Sequence, residues 1–197
     1  MMKHNAFTLA ELLIALVILG VIATFTIPKV LSSQQASSYN AAAKETAGMI
    51  SGAYSAYKQA YGIPPSTMWA QDLSPYMNYL SLDSGSSVDD VQTQNVQGCT
   101  NPAAHAVCLN LHSGAKLRFW NSQFGGTQNT SAVLFWFDPD GKVTDGTTNG
   151  PGKSVAFVLY YNGLLTSYGR TLPNSCTTSG CPFAPNPNTD PPWFSWN

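Results

Sequence analysis

The chain has 197 residues, a net charge of −1 and only 10% charged residues, with 44% hydrophobic and 12% aromatic content. This length allows one membrane segment plus one modest domain with its own core. The absence of a basic cluster excludes nucleic acid as a main partner, and the apolar content excludes a disordered chain. Typical soluble domains carry about 25% charge. Here Ser, Thr, Asn and Gln fill the polar positions, as suits an exported protein or a subunit packed among its own copies.

Met1 to Ala6 is polar and positively charged at Lys3, and an apolar run follows from Phe7 to Ile27. About 20 apolar residues in a helix cross the hydrocarbon core of a bilayer. The positive-inside tendency keeps Lys3 cytoplasmic and sends the rest across. An ordinary signal peptide has a shorter apolar centre and a small-residue cleavage site after it, and neither is found. An uncleaved anchor is the other plain reading.

Glu11 is the only charge in the run. A carboxylate at mid-bilayer costs about 2.5–3.5 kcal/mol on insertion scales, so it marks a functional position with a partner to be found. No cation lies within helical reach on the segment. The partner is therefore expected on another molecule, which points to assembly. The plain alternative is that Glu11 snorkels to the interface.

Ala6-Phe7-Thr8-Leu9-Ala10-Glu11-Leu12-Leu13 resembles the class III signal of type IV pilins and pseudopilins. The resemblance implies a leader, residues 1–6, cut off by prepilin peptidase between Ala6 and Phe7, with N-methylation of Phe7. Glu11 falls at the family's acidic position, and Gly20 and Pro28 where its members commonly have Gly and Pro. The family usually has Gly just before the cut, where this chain has Ala6. The implied partners are further copies of the chain in a helical filament, prepilin peptidase, an inner-membrane assembly platform and its ATPase. The membrane holds the subunit before assembly, and the filament is extracellular, or periplasmic for a pseudopilin. Cleavage would create a cation at Phe7. In a filament that amine can neutralise Glu11 of a neighbour, and a paired charge in low dielectric costs much less than a lone one.

Tyr39, Ala43, Ala47, Ile50, Tyr54, Tyr57 and Tyr61 recur at spacings of three and four, which predicts one apolar face of a continuing helix. Gly62-Ile63-Pro64-Pro65 ends it. A helix over 7–61 would be about 80 Å long, so its first part, 7–27, must protrude as membrane span or filament core. Pro28 removes a backbone donor and clashes with the Thr24 carbonyl. Together with Gly20 and the β-branched residues between, it marks 20–28 as the place to kink or stretch. The Tyr face is expected to pack on the sheet of a head spanning 62–197.

In the head, Ser74-Pro75 predicts a short helix over Pro75–Leu80, and Ser81–Gly98 reads as loop. Strands are predicted at Lys116–Asn121, Ala132–Phe137 and Val155–Tyr161. Asn162-Gly163 then turns the chain into a return strand over Leu164–Tyr168. The fold class is α+β: a long helix on an antiparallel sheet of three or four strands.

Four cysteines, Cys99, Cys108, Cys176 and Cys181, suggest disulfides and an oxidising compartment. Three pairings are open, with local loops 99–108 and 176–181 the simplest; zinc and free thiols are the alternatives. Asp138, Asp140 and Asp145 invite a calcium reading, but Lys142 interrupts the ligand alternation and no bidentate Glu follows. A structural connection is the preferred reading, and no metal or cofactor is expected. The tail residues Trp193, Phe194 and Trp196 either cover the domain's own core or dock on a partner. No catalytic motif is visible, so no enzyme is expected. The sequence reading is a structural subunit of a type IV pilus or similar filament. Its alternatives are a pseudopilin of type II secretion and, in a different class, a monomeric membrane-tethered binding module.

Overall fold

The computed structural model describes residues 8–62, 67–83, 87–89, 96–98, 107–119, 124, 132–141, 154–167, 190–191 and 193–196. One helix, α1, spans Leu9–Tyr61. Its first buried residue is Ala43, and from Leu9 to Leu31 its large apolar side chains are 53–76% exposed. The helix is continuous through Pro28. Just before it, Thr24 Oγ1 donates to the Val21 carbonyl at 2.7 Å and Thr26 Oγ1 to that of Ile22 at 2.9 Å. The expected weak segment over 20–28 is therefore helical in the isolated chain.

Beyond the stem, Ala43, Thr46, Ala47, Ile50, Ala53 and Tyr54 form the buried face. Their spacing of three and four is the stripe a helix presents to a core, and the alanines let the sheet approach closely. Gly62 ends the helix at φ 79°, its N–H donating to the Lys58 carbonyl at 2.8 Å. A left-handed turn of this kind is open to glycine without a Cβ penalty.

The head is an antiparallel sheet of six strands in the order β1-β4-β5-β6-β7-β8, plus a separate β2–β3 hairpin. Its strands are β1 (Ser81–Asp83), β4 (Cys108–Asn110), β5 (Lys116–Phe119), β6 (Ala132–Asp138), β7 (Val155–Tyr160) and β8 (Leu165–Ser167). The hairpin pairs β2 (Ser87–Asp89) with β3 (Val96–Gly98). The expected strands β5 to β8 and the Asn162-Gly163 turn are present, and Gly163 takes φ 92° there. Two expectations are corrected. The stretch 81–98 contains three short strands rather than only loop. The helical element before it is a 3-10 helix over Ala70–Tyr76, not Pro75–Leu80. Asp72 starts that turn by accepting from the Trp69 N–H at 2.8 Å, while Leu73 and Ala70 anchor it in the core.

Both faces of the central sheet are covered. Val133, Phe135 and Phe137 of β6, with Val155, Phe157 and Leu159 of β7, share a core with the helix. The alternate residues Ala132, Leu134, Trp136, Ala156, Val158 and Tyr160 form a second buried cluster on the far side, and β2 approaches β6. Such two-sided burial explains why these strands read as unbroken apolar runs. Arg118, itself buried, places its guanidinium 4.7 Å from the Trp136 ring centre, a favourable cation–π contact.

Tyr54 ties helix to sheet. Its hydroxyl donates to the Tyr161 carbonyl, and Gly163 lies against its ring. The expected Tyr face packs on the head through Tyr39, Tyr54 and Tyr57, while Tyr61 is 69% exposed. Of the two readings left open for the tail, its own core is the one found. Trp193 and Phe194 are buried. Trp193 meets Tyr39 edge-on at 5.8 Å, Phe194 and Trp196 meet Phe157 at 5.8 and 6.0 Å, and Ser195 N donates to Asn40 Oδ1 at 3.2 Å. The tail therefore closes the core where the stem enters the head.

Gly141 follows β6 with φ 64°, and a Cβ there would run into the Gly114 carbonyl oxygen. Gly141→Ala should cost about 1–3 kcal/mol in denaturant unfolding. By contrast Gly48→Ala, on an exposed helix position with open space around it, should be neutral or stabilising by up to about 1 kcal/mol. A second test uses pH. Burial, then the neighbouring Tyr161, pushes the Tyr54 hydroxyl up from 10.0 to about 12. A raised folded-state value means its contribution is intact below 10.0 and is lost as pH climbs towards 12. Tyr54→Phe should therefore lose less stability across that window than the wild type. Tyr160, raised to about 12 by burial, should keep its own share in both proteins.

Candidate assembly site on the stem

The stem begins with a capping box. Thr8 is the N-cap, in extended conformation, and Glu11 stands at the third helical position. Thr8 N–H and Thr8 Oγ1 both donate to Glu11 Oε2 at 2.8 Å, and Glu11 N–H donates to Thr8 Oγ1 at 3.3 Å. Helix starts leave backbone donors unsatisfied, and a Thr-x-x-Glu pair fills two of them reciprocally. The carboxylate also sits where the positive end of the helix dipole favours it. Glu11 thus has a local partner in Thr8, which is not a cation. The signal was present in the sequence, since Thr8 and Glu11 have capping-box spacing ahead of an apolar run.

Around and beyond Glu11 the helix is apolar on every side and exposed. A helix of that kind is not stable surface for a water-soluble domain; it needs lipid or other helices. It is long and apolar enough to cross a membrane. Gly20 and Pro28 lie on this exposed stem, and a Cβ at Gly20 would meet nothing within 4 Å. Among the described residues nothing packs against the missing side chain of Gly20.

The other expected site residues lie elsewhere. Ala6 and Phe7 fall outside the described residues, as do Cys99, Cys176, Cys181 and Asp145. Cys108 is buried in β4 and disulfide-bonded, with its partner outside the described residues. Asp138 is fully buried at the end of β6, and its Oδ1 accepts from the N–H groups of Asp140 at 3.3 Å and Gly141 at 3.0 Å. One carboxylate oxygen is thereby committed to shaping the turn. Among the described residues no group of three or more His, Cys, Asp or Glu side chains is placed to hold a metal ion.

If the capping box holds the first turn, Thr8→Val in detergent micelles should speed amide hydrogen exchange over residues 9–12, and Thr8→Ser should not. Loss of such a cap costs about 0.5–2 kcal/mol. Equal exchange in all three proteins would show that the box does not hold the turn.

Comparison with known proteins adds one finding. Residues 1–27 match the family model described as the prokaryotic N-terminal methylation motif. No curated protein and no solved structure matches the chain. The matched motif is the signal of type IV pilins and pseudopilins. With the exposed apolar helix that follows, it marks a pilin-like or pseudopilin-like substrate of prepilin peptidase.

Proposed function

We propose that the chain is a structural subunit of a type IV pilus or related filament, cut between Ala6 and Phe7, methylated on the new amine and polymerised through α1. The observation that carries this reading is a methylation motif joined to a stem whose large apolar side chains from Leu9 to Leu31 are all more than half exposed. Before assembly the stem lies in the inner membrane. In the filament, stems pack on stems, and the head forms the outer surface. Gly20 and Pro28 lie where the packed stem is most able to bend or stretch.

Glu11 supplies the register. Processing leaves Phe7 one turn before Glu11, so the new cation and the acid occupy nearly the same depth. Insertion of the Phe7 amine of an incoming copy beside Glu11 of its neighbour neutralises both. Hydrogen-bonded charge pairs of this kind are worth about 1.5–3 kcal/mol, and removal of one partner from a buried pair costs more. The assembly platform and ATPase would do the work of extraction from lipid. The second cysteine pair, 176–181, and the pairing of Cys99 with Cys108 would then form in the oxidising space outside the cytoplasm.

Two measurements test the proposal together. Mass spectrometry of the mature protein should give N-methyl-phenylalanine at Phe7, and Glu11→Ala should abolish or sharply reduce filaments while leaving the subunit processed and in the membrane. Filaments at wild-type level from Glu11→Ala would remove the register role, and a retained leader would remove the proposal itself. Loss of protein secretion rather than surface filaments in a deletion strain would assign the chain to a secretion pseudopilin.

A further inference from the structure

Apart from the stem, four large hydrophobic side chains stand exposed among the described residues: Tyr61, Leu80, Leu82 and Leu164. Tyr61 and Leu82 line one cleft of about 490 Å³ between the end of α1, the 3-10 helix and the β1 edge. That volume is in the range of small-ligand sites. Tyr57, Tyr61 and Tyr76 form its aromatic corner. The Tyr57 and Tyr61 rings lie 4.9 Å apart at 44°, and Tyr57 and Tyr76 lie 6.0 Å apart at 78°. Contact of both other rings with Tyr57 holds the corner together.

One charge faces this corner. Asp72 lines the cleft, and its Oδ2 accepts from the Trp69 backbone at 2.8 Å. Among the described residues no Lys, Arg or His lines the cleft and no cation pairs with Asp72. Burial, and then Asp72, hold the Tyr57 hydroxyl above its usual range, so the carboxylate is felt in the corner. Faces of aromatic rings attract cations through their quadrupole, and quaternary ammonium groups are bound by such aromatic cages.

We propose that the Tyr57–Tyr61–Tyr76 corner with Asp72 is a binding site for an alkylammonium group. The three rings offer π-faces to the N-methyl groups, Asp72 supplies the counter-charge, and Leu82 and Val107 form the apolar wall behind. Inserted there, the ligand's cation would replace water, which solvates a diffuse methylated ammonium weakly. The site sits at the end of α1 remote from the stem, so it stands independently of the filament reading.

Choline is the probe, with its neutral isostere, in which carbon replaces nitrogen, as control. Saturation-transfer NMR on the full chain in maltoside micelles should show choline methyl groups bound, with Kd in the range of about 1–10 mM. The neutral isostere should bind several-fold more weakly. Tyr61→Ala and Asp72→Asn should each weaken choline about two- to five-fold or more, while Tyr61→Phe should not. Asparagine at position 72 retains an oxygen to cap Trp69, and Tyr61 is exposed, so both variants should keep the wild-type near-ultraviolet circular dichroism. Phosphocholine as a second probe separates a lipid headgroup from a free amine, since its phosphate is repelled by Asp72 if it enters the cleft. Equal binding of choline and its isostere, no saturable signal for choline below about 50 mM, or unchanged affinity in both Tyr61→Ala and Asp72→Asn would overturn the assignment.

Discussion

Fourteen large apolar side chains between Leu9 and Leu31 stand in the open when the chain is alone, and the head cannot reach back to cover them. Full burial of such a side chain is worth about 1.5–3 kcal/mol, so the stem as a whole carries a penalty in water on the order of 20 kcal/mol or more. This constraint fixes the chain's surroundings: lipid or other stems. It does not choose between the two, because lipid tails are as apolar as leucine and helices in membranes gain no hydrophobic energy by associating. Close packing and polar pairing are left to tip the choice, and in the proposed function Glu11 supplies the second.

The capping box changes how that term is understood. Glu11 does not wait bare in the isolated chain; Thr8 holds it with two donors. Those bonds satisfy its oxygens in part but leave its charge. A neighbour's amine would therefore add neutralisation to an acid already oriented by its own helix, and would not need to order it first. Orientation in advance lowers the entropic cost of docking. The same reasoning gives the head its task. Ser195, held by Asn40, fixes the tail to the helix where the stem emerges, and Tyr54, gripping the Tyr161 carbonyl, fixes the sheet nearer the helix end.

Much of this was legible in the sequence because it was written in long, regular signals. The apolar run, the three-and-four spacing from Tyr39 to Tyr61 and the dense strands β6 and β7 each extend over many residues, so periodicity could speak. Strands β1 to β4 have three residues apiece, too few to show alternation, and β1 pairs with β4, a partner distant in sequence. Ser74-Pro75 misled because proline is at home at the start of a helix, whereas here Asp72 had already opened a tighter turn at Trp69. The Thr8–Glu11 box is hidden for another reason: an acid in an apolar run signals a missing cation more strongly than a helix cap. The aromatic corner at Tyr57, Tyr61 and Tyr76 was beyond reach, since it exists only where the end of α1 meets the 3-10 helix.

The central claim is that one stem replaces lipid for another with a carboxylate and an amine setting their offset. Electron cryomicroscopy of the native assembly at side-chain resolution examines this directly. The account predicts stems bundled along the axis, heads outside, and the Phe7 amine of each copy within hydrogen-bond distance of Glu11 on a neighbour. Stems lying apart in lipid, or bundled stems whose Glu11 carboxylates face no neighbouring amine, would contradict it.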